Sequence, residues 1–177
     1  RAYVRRLDNA FFRSLTGGLP VIDAQLHRGP DRRIVFDSLR LVAPDISLDG
    51  RGARRPDGTF EIAGSGTQAR YGAVNLTLDG DISRPTVDLV LAQPGLGAGL
   101  AAVAVRLDPD ATGWRYAAHG QSLIGPFVTD GKLIAPAGQP FVVDIARLDA
   151  AGVSTHGRLT SREGGFEGEL ALAGGGV

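Results

Sequence analysis

Apolar and polar residues alternate along most of this chain with a period of two. Ile46 and Leu48 are separated by Ser47, Phe60 and Ile62 flank Glu61, and Val74, Leu76 and Leu78 alternate with Asn75, Thr77 and Asp79. Val87, Leu89 and Leu91 come next, with Val90 breaking the polar side. Val103, Val105 and Leu107 then alternate with Ala104 and Arg106, and Trp114 and Tyr116 flank Arg115. Phe141, Val143 and Ile145 lead on to Phe166, Leu170 and Leu172. Successive side chains of a strand point to opposite faces, so each run predicts a strand with one apolar and one wetted face. Such alternation is the mark of an antiparallel sheet.

Turn residues punctuate the runs. In Pro56–Asp57–Gly58 the proline presets φ and the glycine accepts a positive one. Asp79–Gly80, Asp130–Gly131 and Gly164–Gly165 are read as turns by the same chemistry. Connections this short favour a meander in which each strand pairs with the one before it. Residues 93–99 and 135–140, rich in Gly and Pro, read as connectors within the same repeating pattern.

Only the first sixteen residues follow a helical period. Tyr3, Val4, Leu7, Phe11, Phe12 and Leu15 form one apolar stripe, and Gly17–Gly18 supplies a stop. This predicts a short amphipathic helix that packs on the first end of the sheet, or lies on an anionic membrane surface. The division expected is therefore a helix with its cap over 1–18 and a repetitive β-sheet segment over 19–177. The absence of an initiating methionine and the closing glycines suggest a piece of a longer chain.

Composition narrows the function classes. Glycine is abundant, 26 of 177 residues, as many short strands require. Nineteen basic and nineteen acidic residues cancel, which argues against a nucleic-acid partner. No cysteine is present, so disulfides, thiolate metal sites and cysteine nucleophiles are excluded.

The motifs argue against an enzyme. Gly95-x-Gly97-x-Gly99 lacks dinucleotide-binding spacing, and a strand rather than a helix follows it. His27, His119 and His156 are too scattered for a local metal motif. Ser122 lies outside any nucleophile elbow. Asp88, Asp144 and Glu169 sit at polar strand positions, and aromatics are only 6% of the chain, which does not suit a sugar cleft. No cofactor and no metal are expected.

What remains is the apolar face. Its expected lining is Val74, Leu76 and Leu78, then Val87, Leu89 and Leu91, then Val103 and Val105, Trp114 and Tyr116, and Val143 and Ile145. These are mostly medium-sized aliphatics with Gly and Ala nearby, which suits a trough left open better than a filled sandwich. About ten strands at roughly 4.8 Å each give a trough of about 48 Å. Each methylene leaving water for it would gain about 0.8 kcal/mol, with no directional chemistry needed.

Several phrases carry a resemblance. They are Ser14-Leu15-Thr16-Gly17-Gly18-Leu19-Pro20, Ser38-Leu39-Arg40-Leu41-Val42-Ala43-Pro44 and Tyr71-Gly72-Ala73-Val74-Asn75-Leu76-Thr77-Leu78-Asp79-Gly80. Ile82-Ser83-Arg84-Pro85-Thr86-Val87-Asp88-Leu89 and Gly120-Gln121-Ser122-Leu123-Ile124-Gly125-Pro126-Phe127 belong with them. Together they resemble the TamB and AsmA-like family, the translocation and assembly module proteins of the Gram-negative periplasm.

The resemblance implies an all-β fold, a long antiparallel meander folded lengthwise into an open hydrophobic trough, or β-taco. It implies a periplasmic segment whose parent is anchored in the inner membrane through parts outside this segment. Its partners would be phospholipid acyl chains and an Omp85-type outer-membrane protein. The role would be passive phospholipid transport, or help in outer-membrane protein assembly. Two alternatives stand beside it: a scaffold that templates partner strands through an exposed sheet edge, and a sugar-binding β-sandwich.

Overall fold

The computed structural model describes residues 2–3, 16–94, 99–134, 139–162 and 165–173. Within these, the strands are β1 (Ala2–Tyr3), β2 (Val21–Arg28), β3 (Ile34–Ala43), β4 (Ile46–Arg54) and β5 (Phe60–Gln68). Then come β6 (Gly72–Gly80), β7 (Thr86–Leu91), β8 (Ala101–Asp110) and β9 (Gly113–Ser122). The last are β10 (Gly125–Ile134), β11 (Val142–Ala150), β12 (Val153–Arg162) and β13 (Gly165–Ala173). All thirteen lie in one open antiparallel sheet in strict chain order, the meander that the alternation predicts.

The helix expected over 1–18 falls mostly outside the described residues. At its start the chain is extended instead, with Ala2 opposite Ile22 and Tyr3 opposite Val21. Pairing with the edge of β2 holds these two residues extended, whereas Thr16, at the expected end of the helix, is helical. Thr16, Gly17 and Gly18 close against the β3–β4 turn, where the Asp45 amide donates to the Thr16 carbonyl at 3.0 Å.

The Pro56–Asp57–Gly58 turn forms as expected. The Arg55 amide donates to the Thr59 carbonyl at 2.8 Å, and Gly58 takes a positive φ of 92°. Asp57 accepts from both the amide and the hydroxyl of Thr59. Asp79–Gly80 ends β6 beside the next turn.

Asp130–Gly131 is not a turn. It lies inside β10, where the register against β11 slips between the two residues. The glycine answers close approach of strands rather than a reversal, because an added Cβ would run into the Asp144 carbonyl oxygen. A further bulge lies in β3 beyond Phe36, one in β8 after Ala101 and one between Ile145 and Leu148.

Among the described residues no second layer covers the sheet, yet Val74 is only 1% exposed. A flat single sheet leaves its apolar face wet, so this sheet curls until its own side chains cover one another. Val87, Leu89, Leu91, Val103, Leu107, Trp114, Leu133 and Phe141 complete the buried cluster over β6–β11. Burial fades towards both ends: Leu26 on β2 is 59% exposed and Leu172 on β13 is 71% exposed.

Candidate functional site: the apolar face

Strand register turns the alternation into rungs that cross the sheet. Leu78 stands opposite Val87, Val87 opposite Leu107, and Leu107 opposite Tyr116. The next rung runs Gly64, Leu76, Leu89, Val105 and Ala118. Val74, Leu91 and Val103 form a third. Trp114 faces Leu133, which faces Val143, and Ile145 faces Gly131. All twelve residues expected to line the face therefore lie on one side of one sheet.

They do not line an empty channel over β6–β11. Leu76, Leu78, Val105, Tyr116 and Val143 pack against the buried cluster, and Ile145 is itself buried. At these rungs the side chains occupy the space between them. Trp114 is buried with its indole N–H donated to the Pro85 carbonyl at 2.9 Å, so its ring is not a platform for a sugar.

Polar groups on this side are satisfied or placed at its margins. The Tyr116 hydroxyl lies 3.4 Å from that of Thr129, which donates to the Arg147 carbonyl at 2.9 Å. Burial pushes the Tyr116 hydroxyl above its ordinary pKa. Gln68 is buried, and its side-chain oxygen accepts from the amides of Arg70 and Tyr71.

A lane of glycines crosses β4 and β5, where a Cβ at Gly50, Gly52 or Gly66 would run into the backbone of the neighbouring strand. Gly50 faces Gly64, Gly52 faces Ile62 and Leu48 faces Gly66, all on the apolar side. Beyond the lane, Arg54 faces Ile34 on one side and Phe60 on the other, and Ile34 faces Arg28. Two arginines therefore stand on the apolar face at its rim. Reading apolar residues alone misses them; their signal is phase, since Arg54 is in step with Gly50 and Gly52.

The opposite face is wet and ionic. Arg106 bridges Asp88 and Asp108 at 3.1 Å each, and Arg147 contacts Asp130 at 3.2 Å. Arg55 joins Glu61 at 2.9 Å to Asp79 at 2.6 Å. Its guanidinium is held above its ordinary pKa, first by the hydrogen bond to Asp79. A depression of about 610 Å³ on this side spans β3–β7, with Asp49, Arg51, Ser65, Asn75 and Asp88 among its walls.

The candidates for chemistry stay apart. His27 is an exposed partner of Asp37 at 2.7 Å, His119 and His156 are exposed on other strands, and the Ser122 hydroxyl donates to the Gly125 carbonyl. Among the described residues no cluster of His, Asp and Glu is arranged to hold a metal ion, and no helix is long and apolar enough to cross a membrane.

Compared with known proteins, the chain matches no family model, no curated protein and no solved structure.

Proposed function

We propose that this chain is a segment of a TamB-like periplasmic bridge that carries phospholipid acyl chains along its apolar face. One observation carries the reading: strands β2 to β13 form a single sheet whose apolar side chains share one face, with a buried cluster over β6–β11 and exposed leucines at either end. The face is exposed at both ends, where an acyl chain meets Leu26 or Leu172 without displacing protein. Over β6–β11 passage requires the walls to part, because the side chains there touch one another. Nearly equivalent aliphatic rungs bind hydrocarbon without fixing it in place.

Site-specific photo-crosslinking in cells producing the parent chain tests this. A crosslinker at Leu172 or Leu26 should capture phospholipid, and one at Ala171 or His27 should not. Capture at Leu76 and Val105, but not at Thr77 and Arg106, would show that lipid passes the closed stretch. Equal labelling of the two faces would overturn the reading.

A second reading rests on a different observation. No described strand pairs with the far side of β13, so its backbone edge can template a partner strand. Under that reading, Val105→Asp spares function if the fold survives, and proline substitutions along β13 abolish it.

A further inference from the structure

The apolar face carries two arginines on one row at its rim. Arg28 closes β2 and Arg54 closes β4, with Ile34 of β3 between them and Phe60 of β5 beyond. The adjacent row is Leu26, Phe36, Gly52 and Ile62. Guanidinium groups and hydrocarbon thus share one surface at a place where neither is buried in a core. The Arg54 guanidinium lies 6.0 Å from the centre of the Phe60 ring, and Phe60 stacks at 6.4 Å on Phe36.

Of the nearby acids, Asp31 pairs with Arg33 at 2.8 Å, Asp79 and Glu61 pair with Arg55, and Asp57 accepts hydrogen bonds from Thr59. Among the described residues no carboxylate forms an ion pair with Arg28 or Arg54. Arg32, in the turn between β2 and β3, adds a third cation to the same end of the sheet. Arg28, Arg32 and Arg54 thus stand beside the exposed end of the apolar face without an ion-pair partner among the described residues.

We infer that this corner binds the anionic headgroup of a phospholipid whose acyl chains lie along Leu26, Phe36 and Ile62. Two strand spacings, roughly 10 Å, separate the backbones of Arg28 and Arg54, so both side chains can converge on one phosphate. Guanidinium donors match phosphate oxygens, and the neighbouring row offers the tails a dry surface. The inference rests on the acyl-carrying reading above and adds a headgroup class to it.

Calorimetric titration of the 177-residue chain with short-chain phosphatidylglycerol and phosphatidylcholine, each below its micellar concentration, tests it. Phosphatidylglycerol should bind more tightly. Arg28→Gln and Arg54→Gln should each weaken it about fivefold and weaken phosphatidylcholine less, because the choline ammonium offsets the charge of its phosphate. Arg51→Gln, on the wet face, should alter neither, and Leu26→Asp should weaken both lipids. Equal binding of the two lipids, or equal losses from Arg51→Gln and Arg54→Gln, would overturn the headgroup site and leave the acyl reading standing. Binding of neither lipid would remove the acyl reading itself. Displacement of phosphatidylglycerol by a short oligothymidylate as readily as by unlabelled lipid would overturn the inference in favour of a general polyanion surface.

Discussion

Trp114 on β9 donates its indole N–H to the carbonyl oxygen of Pro85, which lies at the start of β7 on the far side of β8. The bond is 2.9 Å long and buried, and it ties three consecutive strands together at one end of the closed stretch. Trp114→Phe keeps most of the apolar volume and leaves that carbonyl without its donor, so we expect a loss of about 1–3 kcal/mol. Trp114→Ala also opens a cavity and should cost about 3–5 kcal/mol. Urea unfolding followed by circular dichroism measures both. Equal losses from the two variants would show that the hydrogen bond, rather than packing, dominates at this position.

Acid should weaken the fold through its turns and its wet face. Asp79 is held below the ordinary carboxylate value first by the hydrogen bond from Arg55, Asp57 by the Thr59 hydroxyl, and Asp81 by the Ser83 hydroxyl. The Thr112 amide does the same for Asp110. A carboxyl with a lower pKa folded than unfolded contributes stability above its unfolded value and loses it as pH falls through the folded one. The urea midpoint should therefore hold between pH 7 and 5 and decline below about pH 4. These groups are solvated, so salt should shrink the effect. Asp79→Asn should lower the midpoint at pH 7 and flatten the acid decline, whereas an unchanged decline would remove the Arg55–Asp79 pair from the explanation.

Gly131 is fixed by a neighbouring backbone. It faces Tyr116 on β9 and Ile145 on β11 at the register slip, with the Asp144 carbonyl where a Cβ would go. Gly131→Ala must push β10 and β11 apart and should cost about 1–3 kcal/mol. Ser65→Ala, exposed on the wet face, should stay within about 0.5 kcal/mol. Thermal unfolding of the two variants side by side tests the contrast. A silent Gly131→Ala would show that the slip is soft.

The alternation in Val74–Leu78 and Val87–Leu91 made the sheet, its antiparallel sense and its apolar face legible, because side-chain direction in a strand follows from backbone geometry alone. The meander order was legible too, since short turns leave no path to a distant strand. Curvature was not. Whether Leu89 and Trp114 stand apart or touch depends on bulges such as those at Ala101 and Gly131, and a bulge glycine looks in sequence like a turn glycine. Asp130–Gly131 was misread for that reason. Arg28 and Arg54 went unseen because a search for apolar residues in phase passes over a cation that shares their phase.

The far strand offers the sharpest test of an exposed apolar face. On β13 Phe166, Leu170 and Leu172 point to the side that is buried in the middle of the sheet, yet all three are at least half exposed. Only Phe166 has an aromatic partner, an edge-to-face contact with Phe141 at 5.5 Å. Apolar surface beside a strand edge that no described strand covers favours association. The 177-residue chain should therefore self-associate as its concentration rises, and Leu170→Lys with Leu172→Lys should return it to a monomer. Because both leucines are already wet, the double variant should lose little stability. Thr77→Lys, on the wet face of a central strand, should leave association unchanged. Sedimentation velocity across a concentration series reads all three. A monomeric parent chain, or association that survives both lysines, would show that the exposed end of the face is not what brings copies together.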